Sequence, residues 1–245
     1  MNIDNIIIFF LLTIINIIFY LANYKIAYYF NLIDVPDKER KIHTSKVPLT
    51  GGFFLFFNIL SIFLISHYLN LEFNSSLDSQ IIVFIFLIFI FGIFDDKFGI
   101  NANFKLILSI IFFLIFLLFN DDLVLKSLII SSGHKIYLGI FSIPFTIFCF
   151  VIFQNAFNMY DGINLQNILY FIFLILIIFI FFGFVDFYIY LTPVIILLLY
   201  LNFKNKMFLG DSGSYILSFI ISIFLISMFN DKQIEIYSDL VFLFL

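Results

Sequence analysis

IIVFIFLIFIFGIFDDKFGI, residues 81–100, is almost purely apolar through Phe94 and then sets Asp95, Asp96 and Lys97 in succession. The run has the composition of a membrane helix, and two adjacent carboxylates at its end are costly to remove from water. The same alternation of long apolar runs and short polar breaks covers the whole chain. Of its 245 residues, 64% are hydrophobic and 11% are charged. A soluble domain of this length cannot hide so much apolar surface, so a bilayer is its natural solvent. The chain is read as an all-α, polytopic membrane protein.

A spanning helix needs about 20 mostly apolar residues. The polar breaks then predict spans at 5–30, 51–69, 80–94, 104–119, 139–157, 167–185, 187–201 and 215–229, with the start of a ninth near 238. The third and seventh are short and are expected to extend into flanking polar residues. Tyr20, Tyr28, Tyr29, Tyr68, Tyr137, Tyr188 and Tyr200 mark several ends, as interfacial aromatics do. The first run follows MNID without a basic segment or a cleavage site, so it reads as a retained helix. No internal repeat or linker is visible, and residues 1–245 read as one integral-membrane domain.

Eight spans place segments 31–50, 95–103, 158–166 and 202–214 on one side. Nine of the 12 Lys and Arg residues fall on or beside it: Lys25, Lys38, Arg40, Lys41, Lys46, Lys97, Lys105, Lys204 and Lys206. Lys126, Lys135 and Lys232 fall on the other. The excess of positive charge predicts that the first side is cytoplasmic and the N-terminus outside. The net charge of −4 gives no reason to expect a nucleic-acid partner. The single cysteine, Cys149, lies in the apolar run IFCFVIF and reads as packing.

Four polar clusters share the first side: DVPDKERKIHTSKVPLTGG (34–52), FDDKFGIN (94–101), QNAFNMYDGINL (154–165) and KNKMFLGDSGS (204–214). Asp95 and Asp96 read either as a solvated pair ending a helix or as ligands of a hard cation. Mg²⁺ suits the second reading, because one or two carboxylates plus substrate phosphates hold it. Asp211 sits in GDSGS, where it is a helix N-cap, a partner for a metal–phosphate ligand, or both. Asn155, Asn158 and Asp161 are spaced to form a stripe on one helix face. In lipid such a stripe faces either a cavity or neighbouring helices. Lys38, Arg40, Lys41, His43 and Lys46 in the first loop serve either as an inside-positive anchor or as a surface for an anionic, phosphate-bearing substrate. Together, three acidic sites and a basic loop on one face fit Mg²⁺-assisted phosphoryl transfer.

The four motifs, in this order, resemble those of the polyprenyl-phosphate N-acetylhexosamine-1-phosphate transferases, the glycosyltransferase family 4 group that includes the MraY and WecA enzymes. The resemblance covers residues 1 to about 229. It implies transfer of a sugar-1-phosphate from a UDP-sugar to a polyprenyl phosphate such as undecaprenyl phosphate. UMP is released and cell-envelope glycan synthesis begins at the inner face of a bacterial cytoplasmic membrane. It implies Mg²⁺ as cofactor. Asp95 and Asp96 match the paired aspartates, one of which acts on the lipid phosphate, and Asp95 is also a candidate metal ligand. Asp211 matches the family's Mg²⁺ ligand, and Phe208 an aromatic that stacks on uracil. Asn155, Asn158 and Asp161 match the nucleotide-site and catalytic-centre motif, with Asn164 in the uridine-facing region. Lys46 and His43 match basic first-loop positions. A homodimer would accord with the family.

Two departures stand out. The third motif reads DGINL, one glycine short of the family pattern. The chain also stops at Leu245, where the family continues with further helices and a His/Arg-rich cytoplasmic loop, so a C-terminally truncated member is expected. The alternatives are an inactive or fragmentary paralogue that binds lipid phosphate or a partner, and a transporter. Against the transporter stand the absence of a repeat and the position of the acids at helix ends rather than mid-membrane.

Overall fold

The computed structural model describes residues 3–36, 45–69, 79–129, 134–161, 165–182 and 186–230. Within them the chain forms eight α-helices: α1 (Ile3–Phe30), α2 (Gly51–Tyr68), α3 (Ser79–Phe98), α4 (Ala102–Phe119), α5 (Ser142–Tyr160), α6 (Gln166–Phe182), α7 (Asp186–Phe203) and α8 (Gly210–Asn230). The architecture is all-α and polytopic, as the sequence predicts. Two short antiparallel pairs complete it: β1 (Ile33–Asp34) with β2 (Val47–Pro48), and β3 (Ser127–Ile129) with β4 (Lys135–Tyr137).

Each helix coincides with an expected span. The two short spans lengthen as anticipated, α3 to Phe98 and α7 to Phe203, so Asp95 and Asp96 lie within the last turn of α3. Among the described residues, five segments are long and apolar enough to cross a bilayer by length and composition alone, those of α1, α2, α4, α5 and α8. Two shorter apolar helices, Gln166–Ile180 and Phe187–Phe203, fall in α6 and α7. The ninth run near 238 lies outside the described residues.

α8 is the axis of the bundle. It packs on α2, α3, α5 and α6, and 89% of its apolar window is buried, against 22% for α4. Lipid tails are as apolar as Leu, so apolar composition does not drive helix association in a membrane; close packing of small residues and interhelical hydrogen bonds do. α8 carries Ser212, Gly213, Ser214, Ser218 and Ser222, all buried. Its partners offer glycine at the tightest point. A Cβ on Gly92 of α3 would stand 2.2 Å from the Ser212 Cα, and one on Gly52 of α2 would stand 2.2 Å from the Ser212 Oγ. Only glycine permits this approach.

The segments that the sequence places on one side meet at one end of the bundle. The Phe208 N–H donates to the Pro48 carbonyl at 2.8 Å, and Gly51 N–H returns a bond to the Phe208 carbonyl at 2.9 Å. Gly52 N–H donates to the Leu209 carbonyl at 3.2 Å. Asn23 of α1 donates its Nδ2 to the Lys206 carbonyl at 2.9 Å and accepts the Thr50 hydroxyl on its Oδ1. The Leu165 N–H donates to Asn202 Oδ1 at 3.0 Å. At the opposite end, Asn230 donates to the carbonyls of Asp122 and Val124.

Candidate active site

The site begins with two consecutive residues of α3. Successive side chains on a helix project about 100° apart, so Asp95 and Asp96 meet different neighbours. Asp95 turns inward and is 2% exposed. Its Oδ2 accepts the Tyr215 hydroxyl at 2.7 Å and pairs with Lys105 Nζ at 2.6 Å. Its Oδ1 accepts the Ile100 N–H at 3.0 Å, fixing the turn into α4. Gly99 in that turn has φ +60, a left-handed conformation natural to glycine.

Asp96 turns toward the start of α8. Its Oδ1 accepts the Asp211 N–H at 2.7 Å, and its Oδ2 accepts the Ser212 N–H at 3.1 Å and the Ser212 hydroxyl at 2.8 Å. The first N–H groups of a helix have no partner within it and carry partial positive charge. Asp96 supplies that partner across 115 residues of sequence. Gly210 makes the approach possible. Its φ is +71, and a Cβ there would lie 2.9 Å from both Asp96 carboxylate oxygens.

Asp211 stands beside this clamp with its carboxylate 28% exposed, and Lys105 Nζ lies 3.7 Å from its Oδ2. One ammonium therefore bridges Asp95 and Asp211. Asp161 caps the end of α5, where its N–H donates to the Asn158 carbonyl at 3.1 Å. Ser214 and Asn167, bonded to each other at 3.0 Å, lie beside its carboxylate. Burial pushes the Asp161 carboxyl well above the usual range, and the negative charges of Asp211 and Asp96 push it in the same direction. Four aspartates from α3, α5 and α8 thus cluster at one end of the bundle, and Lys105 of α4 pairs with two of them, Asp95 and Asp211.

The expected polar stripe on α5 divides. Asn155 Nδ2 bonds back to the Val151 carbonyl of its own helix at 2.9 Å. Asn158 Nδ2 donates to the Tyr215 hydroxyl at 3.4 Å, and Asp161 joins the acidic cluster. Phe208 is buried, at 8% exposure, and its backbone joins the loop to β2 and α2. Lys46 is exposed just ahead of β2. His43 and Asn164 lie outside the described residues. The sequence marks Lys105 only as a flanking positive charge and Ser212 only as a candidate N-cap, and it gives Ser214 and Asn167 no role at all. One signal for Tyr215 was available: a hydroxyl directly after GDSGS, inside an apolar helix rather than at its interfacial end.

Among the described residues, no three His, Cys, Asp or Glu side chains form a set able to hold a metal ion alone. The sequence model of Glycosyl transferase family 4 matches residues 79–229, more than half of the chain and the whole of the cluster. The chain belongs to glycosyl transferase family 4. It is 30% identical over 142 residues to a phospho-N-acetylmuramoyl-pentapeptide-transferase of Clostridium novyi (strain NT), covering 53% of this chain and 41% of that protein. It is 28% identical over 207 residues to the undecaprenyl-phosphate alpha-N-acetylglucosaminyl 1-phosphate transferase of Salmonella typhi, covering 80% of this chain and 54% of that protein. The Salmonella typhimurium protein of the same name matches with the same figures. The chain spans about half the length of the curated family members it matches. Within the family frame, Asp95, Asp96, Asp161 and Asp211 all fall inside the matched segment, and the first-loop residues Lys46 and His43 lie before it.

Proposed function

We propose that this chain transfers a sugar-1-phosphate, of the N-acetylhexosamine class, from a UDP-sugar to undecaprenyl phosphate at the cytoplasmic face of the membrane, releasing UMP. The observation that carries the reading is the acidic cluster built from α3, α5 and α8, two of whose aspartates, Asp95 and Asp211, share Lys105. Solvated helix ends would not bury Asp95 to 2% or bond Asp96 to another helix 115 residues away. The excess of Lys and Arg at this end supports a cytoplasmic orientation.

The donor set is all oxygen, which suits Mg²⁺, an ion content with one or two carboxylates when substrate phosphates complete its shell. Asp211 and Asp161 would hold it, because Asp96 is committed to the α8 N-terminus and Asp95 Oδ2 already receives two donors. Bound there, the cation would neutralise diphosphate charge and stabilise the leaving UMP. Lys105 sets a second positive charge beside the same phosphates. An oxygen of the lipid phosphate attacks the β-phosphorus of the UDP-sugar, and the bond to the bridging oxygen breaks as UMP departs. Asn158 and Phe208 contribute to the nucleotide side, with Lys46 and His43 attracting the anionic substrate. In the initiation of an envelope glycan, the lipid-linked sugar is the product that later transferases extend.

The test is UMP release by membranes containing this chain, supplied with UDP-N-acetylglucosamine, undecaprenyl phosphate and Mg²⁺. Release that EDTA abolishes is the expected result. Release that persists in EDTA, or that proceeds without the lipid phosphate, would contradict the reading.

A further inference from the structure

The Tyr215 hydroxyl stands where α3, α5 and α8 meet. The residue is 1% exposed, and its ring stacks on Phe91 of α3 with centroids 5.3 Å apart and planes inclined by 18°. Phe91 lies one turn before Asp95, so the stack holds the phenol alongside the acidic end of that helix. The hydroxyl donates to Asp95 Oδ2 at 2.7 Å and accepts from Asn158 Nδ2 at 3.4 Å. A phenol has one proton to donate and free lone pairs to accept with, so both bonds form together. The oxygen it addresses is the one that holds Lys105 at 2.6 Å.

Lys105 is a long, flexible side chain with a strongly hydrated head, and its own rotamers do not fix it. Its position between Asp95 and Asp211 depends on where Asp95 Oδ2 stands. That oxygen is steered by Tyr215, and Tyr215 in turn by Asn158. We infer that Tyr215 is a positioning residue: through Asp95 it locks the Lys105 ammonium at the mouth of the acidic cluster and ties the Asn158 motif to the paired aspartates. A phenylalanine at 215 would keep the volume and the stack on Phe91. It would leave Asp95 Oδ2 one donor short and the Asn158 amide without its acceptor.

The test has two parts, and the first needs no turnover. The full chain in nanodiscs is treated with limiting acetic anhydride, and acetylation of Lys105 is read by mass spectrometry against that of the exposed Lys97. In Y215F the Lys105-to-Lys97 ratio should rise severalfold. Asn158→Ala, which leaves Asp95 and the phenol in place, should raise it by less. Tyr188→Phe removes another buried hydroxyl, that of an α7 residue 3.5 Å from the Ile220 carbonyl of α8, and should leave the ratio unchanged. The second part rests on the transfer reaction proposed above. Loss of a bond that orients a working group typically costs 10–100-fold, so kcat for UMP release should fall by about that factor in Y215F, with KM for the UDP-sugar and the thermal midpoint little changed. An unchanged labelling ratio, or a parallel rise at Lys97 and Lys105, would overturn the inference whatever the activity. A raised ratio in a chain that releases no UMP would uphold the positioning role and count against the transfer reaction alone.

Discussion

α4 and α8 are similar in length, and α4 is the more apolar of the two, yet they occupy opposite places. The window of α8 is 89% buried and that of α4 is 22% buried. In water the more apolar helix would go to the centre. In lipid the order inverts, because burying Ile and Leu against protein gains little over burying them against acyl chains. Glycine and serine bring α8 inward by letting backbones approach, and Ile107, Ile111, Leu114 and Leu118 leave α4 an exposed apolar face suited to lipid. The buried polar contact of α4 follows the same logic. Ser109 is 2% exposed and accepts Gln154 Nε2 of α5 at 3.3 Å.

The contrast extends to chemistry. α8 brings its N-terminus, with Asp211 and the clamp on Asp96, to the cluster. α4 lends only Lys105 from its first turn. Breaking the α8 side should therefore cost most. Asp211→Asn should lower Mg²⁺-dependent UMP release by at least about 100-fold, since charge stabilisation by a bound cation is worth several kcal/mol. Membrane insertion should be unaffected, as judged by the amount of protein in the membrane fraction. Gly92→Ala forces a methyl group against the α8 backbone, 2.2 Å from the Ser212 Cα. Overpacking of this kind costs about 1–3 kcal/mol or more, which should appear as a lower unfolding midpoint in detergent. Asp96→Ala removes the acceptor for two α8 N–H groups and should cost about 1–2 kcal/mol by the same assay. Ile111→Val, on the lipid face of α4, should fall within about 0.5 kcal/mol of the parent. A large effect at Ile111 would mean that α4 packs inside an assembly, and a negligible effect at Gly92 would mean that α8 is not the tight axis.

The spans were legible because each is a long apolar run between polar breaks, and such a run has few ways to sit in a bilayer. The end of α3 was legible for the same reason, with Asp95 and Asp96 where the run stops. The aspartates of the cluster were visible as the charged or glycine-flanked residues of three motifs. The division of labour between Asp95 and Asp96 was not. It depends on partners 120 and 115 residues away, and no local spacing encodes them. Lys105 was hidden in the count of positive residues, because a lysine at a helix start usually only marks the interface. Asn23 was hidden inside an apolar helix, and only its bonds to Thr50 and Lys206 show that it braces the loop before α8.

The account turns on the acidic cluster being a working centre rather than a packing feature. The most direct measurement compares UMP release by Asp211→Asn and Lys97→Gln, which alter two charges at the same end of the bundle, one within the cluster and one exposed on α3. The account predicts that release collapses in the first and stays close to the parent rate in the second. Equal rates in the two variants would contradict it.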